Sequence, residues 1–599
     1  MKPLPSKRCS FLIGLVILIT TAVLSLFVYF RFYVKNEIQD PEFPQPPSSL
    51  PMGVYSKVGV VSNGGPCSQI GVDVMSKGGN AIDAAIATLL CDGAVCPQQM
   101  GIGGGFIMSI YNATTKKVMT INAREIAPAG ANTYMFVNEP RKSMYGGLAV
   151  AIPGALKGYS TIYNLYGGGV QWETLFEPTI KLCEEGITIS DHLDFSLKHD
   201  EDLVKNDEML RNIFFDENGE YMKTAGEIYK LPKLAETLKI IAKEGVKAVY
   251  NGSLTSKIIQ DLKKVNGIIT KKDLADYKVE VEESFSVNLK SGHTIHLGPP
   301  PGSGIILAYI LRILDGILPA PDVGLDEHRL VEAFKFGYGE RSHLGDHQFV
   351  NVSQIYNKVN SDSYIESIRN KILDDFTSLD PSYYGGDFYT PEDHGTANIV
   401  VTDSMGNTVV CTSTINTFAL LINTWNLFRI SFGSGFMSPS TGIIFNNQMN
   451  DFSTPGVRNF YGIPSSPANY IKPGKRPMSS MCPTVFTDKN GDFVLGAGAA
   501  GGSKITVTTA YMAAHKLWYN NTLKEVLDKP RIYHQLVPME IRYEYRTTKD
   551  VVQKLKDIGH PVTRIPFTRG SAASAISKSP TGMIEAMSDF RRPGNTSGY

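Results

Sequence analysis

The stretch from Gly395 to Asn416 constrains this chain more than any other. Ala397 to Thr402 and Thr408 to Thr414 are β-branched runs, and the five residues between them, Asp-Ser-Met-Gly-Asn, are turn-forming. Two such runs on either side of a short turn make an antiparallel hairpin. With the turn centred on Met405, facing residues have numbers that sum to 810, so Thr396 stands opposite Thr414 at about 5 Å. Asn416 then points to the same side as Thr414. The segment before the hairpin, SLDPSYYGGDFYTPEDHG, is rich in Gly, Pro, Asp and Tyr and reads as an exposed loop. A loop therefore meets a buried strand at the Gly395-Thr396 bond.

That junction allows a specific chemistry. A threonine hydroxyl is a poor nucleophile without a base beside it, and a chain cut before Thr396 would supply one in the residue's own α-amine. An α-amine titrates near pH 8, so an unprotonated fraction is available close to neutrality. The small Gly395 lets the hydroxyl approach the preceding carbonyl, so the cut uses the same attack as later turnover. This is the logic of an N-terminal nucleophile hydrolase.

Charge excludes other classes. Lys plus Arg equals Asp plus Glu, 58 against 58, so no basic field invites nucleic acid. Residues 11–30, Phe11 to Phe30, form an uncharged apolar run long enough for a transmembrane signal-anchor. Lys2, Lys7 and Arg8 in the tail, residues 1–10, favour a cytosolic N-terminus and place the rest outside the cell. Residues 31–52, with Pro41, Pro44, Pro46, Pro47 and Pro51, read as an extended stalk that holds the ectodomain off the membrane. Five glycosylation acceptors, Asn112, Asn251, Asn351, Asn520 and Asn595, all lie beyond the anchor. Cys67 and Cys91 bracket a helix-like stretch and are the expected disulfide. Helical patterns alternating with β-rich runs predict a mixed α and β class.

Other motifs have competing readings. Gly496, Gly498 and Gly501 have dinucleotide-loop spacing. No ribose-binding acid follows on a second strand, and the backbone amides of Gly501 and Gly502 suit an oxyanion instead. His343, Asp346 and His347 lack a metal-helix spacing and read as a solvated turn, so no metal is expected. Arg124 sits at a strand end among apolar residues, where it could clamp a carboxylate.

MGIGGGF, NAREIAP, DHGTANIVV, TSTIN, GIIFNNQMNDFS, PGKRPMSSMCP and GAGAAGGSKI, in this order from about residue 56 to the end, resemble the γ-glutamyltransferase (γ-glutamyl transpeptidase) family. The resemblance implies a four-layer αββα sandwich and self-cleavage into a heavy chain, residues 53–395 behind the anchor, and a light chain, residues 396–599, which stay together as a heterodimer. It implies Thr396 as nucleophile with Thr414 hydrogen-bonded to it. Arg124, Ser479 and Ser480 would hold the donor's α-carboxylate; Asn416, Gln448 and Asp451 would hold its α-amine; Gly501 and Gly502 would supply the oxyanion amides. The family varies between Glu and Gln at position 448, and Gln here removes one negative charge. Substrates would be glutathione and γ-glutamyl compounds, with water, amino acids or dipeptides as acceptors, no cofactor, and a location on the outer face of the plasma membrane as a single-pass type II protein. An acylase of the same nucleophile class and a non-catalytic surface protein are the alternatives.

One stretch departs from the pattern. Between Phe418 and Phe432 the family runs almost directly from INTF to FGSGF, whereas here ALLINTWNLFRIS intervenes. Its apolar make-up suits neither an exposed loop nor a strand of evident period. Thirteen residues are a whole number of codons, and the expectation is that the active form lacks them.

Overall fold

A computed structural model describes residues 20–21, 25, 39–389, 395–416, 418–423, 426–458, 462–566 and 570–599. The hairpin has the expected register: Ala397 faces Ser413, Val400 faces Val410 and Thr402 faces Thr408. It is the middle of a seven-stranded antiparallel sheet ordered Asn595–Gly598, Gly59–Ser62, Ala397–Thr402, Thr408–Thr414, Gly105–Asn112, Lys117–Ala123 and Glu280–Glu283. A second antiparallel sheet is ordered Gly53–Tyr55, Ile584–Ser588, Ala572–Lys578, Phe493–Ala500, Thr484–Thr487, Thr294–Leu297 and Phe285–Asn288.

The two sheets stack face to face. Val61, Tyr111, Val400 and Val410 interlock with Val485, Ile576, Ile584 and Ala586 between them. On the other side of the hairpin, Ile399, Val401, Val409 and Cys411 share a core with helices Ala81–Val95 and Ala155–Tyr166. The second sheet is backed by Gly304–Leu314, Val323–Arg341 and Ile505–Trp518. The result is the expected helix-sheet-sheet-helix sandwich. Burial on both faces explains why the hairpin strands are apolar almost without alternation; each buried valine contributes about 1.5–3 kcal/mol. The Cys67–Cys91 disulfide is formed and ties helix Cys67–Ser76 to Ala81–Val95.

Three expectations meet a different structure, and one lies outside it. The run Phe11 to Phe30 lies outside the described residues apart from Thr20, Thr21 and Ser25, and among the described residues no helix is long and apolar enough to cross a membrane. The expected free stalk is, from residue 40 on, a strap bound to the molecule. Asp40 pairs with Arg564 and accepts from Tyr543, Glu42 approaches Lys549, and Ser48 hydrogen-bonds Asp528 through both its amide and its hydroxyl. Prolines keep this segment extended, but polar residues between them find partners. The loop before Gly395 is only partly exposed: Tyr384 is buried and donates to Glu332 Oε2 at 2.8 Å, and residues 390–394 lie outside the described set. The supposed solvated turn holds a buried Asp346, whose carboxylate accepts from the amides of Arg476 and Gln348, while His347 faces Glu282. Asp346 is therefore a brace for the PGKRP segment.

The intervening stretch is a hairpin of its own. Phe418–Asn423 pairs with Asn426–Ile430 and with no other strand among the described residues. Its base is clamped: Ile415 N–H donates to Gln99 O, Ser431 N–H to Asp200 Oδ2, and Phe432 is buried against Phe214.

Candidate active site

Gly395 has φ of +62°, a conformation open mainly to glycine. This kink turns its carbonyl oxygen toward the hairpin, where it accepts from Thr396 Oγ1 at 2.6 Å and from Thr414 Oγ1 at 2.5 Å. Asn416 N–H donates to Thr414 Oγ1 at 2.7 Å, fixing the direction of the Thr414 proton. The register argument placed Thr396 and Thr414 together, and they are. The expected direct bond between them is replaced by a shared acceptor, because the intact 395–396 peptide puts its carbonyl between the hydroxyls.

The strand end is held from behind by glycines. A Cβ on Gly104 would lie 2.1 Å from Thr414 O and one on Gly103 2.1 Å from Ile444 O. Only a side-chain-free ridge lets strand Gly105–Asn112 approach Thr414 and the Ile444–Phe445 segment at once. From there the chain enters the single turn Gln448–Asp451.

Those residues close a buried polar pocket with Arg124, which leaves strand Lys117–Ala123 as expected. Arg124 Nη2 pairs with Asp451 Oδ2 at 2.6 Å, and its Nε donates to Pro477 O. Asp451 also accepts from Asn416 Nδ2 at 2.8 Å and Gln448 Nε2 at 2.7 Å. The cation and the acid expected at opposite ends of a ligand thus touch each other, a pairing that offsets the cost of burying both charges. Buried Arg124 Nη1 and Gln448 Oε1 have no hydrogen-bond partner among the described residues, nor does Asn447 Oδ1 nearby. One cationic donor and two amide acceptors without hydrogen-bond partners, in a buried cluster centred on Asp451, are the complement of an amino acid's carboxylate and ammonium.

Glu125, beside Arg124 Nη1 at 3.9 Å, has neither carboxylate oxygen hydrogen-bonded. Burial pushes its acid up to about 8, against the pull of Arg124. The folded value lies above the ordinary one, so the protonated acid's contribution to stability is full below about 4.5 and is lost as pH climbs through about 8. The thermal midpoint of Glu125→Gln is expected to fall less than the wild type's between pH 5 and pH 9; parallel melting curves would contradict this.

Ser479 and Ser480 sit on the adjoining segment, both buried. Gly501 and Gly502 follow strand Phe493–Ala500 with φ of +134° and +64° and open the helical segment that continues into Ile505–Trp518. Their consecutive amides therefore stand at a helix start, where anionic charge is favoured. The dinucleotide-like spacing has a packing origin: a Cβ would meet Val410 at Gly496, Asn398 Oδ1 at Gly498 and Ser571 at Gly501. Because Gly498 lies against Asn398, two residues from Thr396, the glycine pair belongs to the same end of the sandwich.

Sequence reasoning missed Glu125, Asn447 and the Gly103–Gly105 ridge as separate contributors; orphaned polar atoms and backbone contacts leave no local sequence signal. It also passed over His328, Glu332 and His560, whose potential ligand atoms lie within 4.8 Å of one another. Lys335 Nζ already pairs with Glu332 at 2.9 Å, so this buried cluster is neutralised from within.

Comparison with known proteins gives the family. The chain is 39% identical to Scoloptoxin SSD14 of Scolopendra dehaani, over 94% of this chain and 95% of the other. It is 37% identical to Glutathione hydrolase 3 of Arabidopsis thaliana, over 84% of this chain and 77% of that protein. A cephalosporin acylase from Bacillus halodurans shares the fold, with a TM-score of 0.78 at 24% identity, covering 94% of this chain and 99% of the acylase. The sequence model of the gamma-glutamyltranspeptidase family matches residues 67–599. The chain belongs to the γ-glutamyltranspeptidase family.

Proposed function

We propose that the protein is a γ-glutamyltransferase and glutathione hydrolase that activates itself by cleavage at Gly395-Thr396. The observation that carries this reading is the buried cluster in which Arg124 Nη1 and Gln448 Oε1 have no hydrogen-bond partner among the described residues, joined to Thr414 by Asn416, whose N–H donates to Thr414 Oγ1 and whose Nδ2 donates to Asp451. An acyl group without an amino-acid head has no use for such a pocket, which argues against a general acylase.

In the uncut chain Thr396 Oγ attacks the Gly395 carbonyl carbon, and the Thr414 hydroxyl stabilises the oxygen as charge builds on it. The peptide nitrogen takes the proton and leaves as the α-amine of Thr396, giving an ester that water opens to a Gly395 carboxylate. In the cleaved enzyme that amine serves as base. Thr396 attacks the γ-carbonyl of a donor, the amides of Gly501 and Gly502 hold the oxyanion, and the amine half departs with a proton. Water then releases glutamate, or an amino acid or dipeptide takes the γ-glutamyl group. Arg124, Ser479 and Ser480 hold the donor's α-carboxylate; Asn416, Gln448 and Asp451 hold its ammonium.

The same reading places the catalytic part outside the cell behind a signal-anchor at residues 11–30. The apolar run, the basic tail and the Cys67–Cys91 disulfide support it. So does the exposure of Asn112, Asn251, Asn351, Asn520 and Asn595, which leaves room for glycans at all five. Incubating the purified ectodomain with a γ-glutamyl anilide tests the activity: release of the aniline, accelerated by a dipeptide, is the expected result, and no release from a processed sample would overturn it.

The hairpin at 418–430 is dispensable in this scheme. Phe418 pairs with Ile430, so its ends lie about 5 Å apart and can be joined with little strain. Deleting residues 419–431 is expected to leave self-cleavage intact and to match or raise kcat/KM for a γ-glutamyl donor. A deletion variant that folds and cleaves but loses most of its kcat/KM would show that the hairpin is part of the site.

A further inference from the structure

The two serines assigned to the donor's α-carboxylate do not hold themselves in place. Arg341 is the last residue of helix Val323–Arg341 and is 3% exposed. Its Nη2 donates to Ser480 Oγ at 3.1 Å and its Nε to Ser303 Oγ at 3.3 Å. Ser303 in turn donates its hydroxyl to Ser479 O at 2.6 Å and its amide to Met481 O at 3.0 Å. Ser479 N–H donates to Pro301 O at 2.8 Å. The segment 479–481 is thus stitched to residues 301–303, and one guanidinium spans both.

Hydrogen-bond direction gives this arrangement a chemical meaning. A guanidinium only donates, so Ser480 Oγ must accept from Arg341 and its own proton is directed elsewhere. Ser303 Oγ likewise accepts from Arg341 and spends its proton on Ser479 O. One turn earlier on the same helix, Tyr338 donates to Ser503 O, directly after Gly501 and Gly502. A single helix of the heavy region therefore touches both light-region segments to which the donor's carboxylate and the oxyanion are assigned.

We propose that Arg341 is a positioning residue that sets the affinity for the donor's α-carboxylate by orienting the Ser480 hydroxyl and adding positive potential behind it. The proposal rests on the functional reading above. It separates recognition of the carboxylate from chemistry at Thr396.

The test compares Arg341→Gln and Arg341→Lys with wild type on two donors: a γ-glutamyl anilide and the 4-aminobutyryl anilide that lacks the α-carboxylate. Each sample is first checked for a light chain beginning at Thr396. With the γ-glutamyl donor, KM is expected to rise about ten- to hundredfold in Arg341→Gln and less in Arg341→Lys, with kcat nearly unchanged. With the second donor, kcat/KM is expected to equal the wild-type value. Equal losses on both donors, a fall in kcat at constant KM, an unchanged KM, or failure of both variants to self-cleave would each overturn the proposal. A wild type that is processed yet inactive on the γ-glutamyl donor would instead sink the functional reading itself.

Discussion

Thr396→Ala remains a single uncut chain and shows no turnover above background, a loss of roughly a millionfold in kcat if it behaves as nucleophile removal does elsewhere. Two separate events fail in this variant. The Gly395 carbonyl keeps the Thr414 hydroxyl but has no oxygen to attack it, so the peptide bond survives. Without that cut no α-amine exists at position 396, so no base is available even to a substitute nucleophile. Thr414→Ala separates the events. It leaves Thr396 in place but removes one of the two hydroxyls on Gly395 O, and cleavage should slow by about a hundred- to a thousandfold. Gel analysis with N-terminal sequencing of the smaller product reads both. A light chain beginning anywhere other than Thr396 in the wild type would remove the basis of the mechanism.

Arg124→Ala and Asp451→Ala are each expected to lower kcat/KM for a γ-glutamyl donor by a hundredfold or more. Arg124 and Asp451 are buried and paired at 2.6 Å. Removing either leaves the other charge stranded in a dry pocket, at a cost of about 3–5 kcal/mol, and takes away one half of the donor's recognition. Because the pair also supports the fold, the single variants confound binding with stability. The double variant Arg124→Met with Asp451→Leu resolves this. With no charge stranded it should melt near wild type yet stay as inactive as the singles, since nothing remains to meet a zwitterion. A double variant that recovered activity would reassign the pair to a purely structural role.

What could be read from the chain alone has a physical boundary. The 810 register and the Thr396–Thr414 juxtaposition were legible because a hairpin is a local object whose turn fixes every facing pair; the kink at Gly395 was not, since only the small size of the residue could be read. Arg124 was legible as a cation at a strand end, but its pairing with Asp451, 327 residues away, was not. Asp346 looked solvated because its neighbours are polar, whereas the backbone amide that buries it belongs to Arg476. Arg341 sits in a stretch with no motif, and its meaning comes from Ser480, 139 residues downstream. The pattern in ALLINTWNLFRIS failed as a strand signal because the register shifts between Leu421 and Asn423, which breaks the alternation that marks a strand.

The strap at residues 40–48 changes how the two chains would be held at a membrane. Its partners Asp528, Tyr543, Lys549 and Arg564 all lie after Thr396, whereas the anchor proposed for residues 11–30 precedes it. The heavy chain would leave the lipid, lie first along the light chain, and only then enter its own fold. Residues 31–39 extend at most about 30 Å, so the light-chain face around Tyr543 and Arg564 would lie nearest the bilayer. Both halves of the cleaved protein would be leashed by one cord. Because the Glu42–Lys549 pair of that cord is exposed, this contact would weaken in concentrated salt, while the stacked sheets, whose contact is apolar, would keep the halves together.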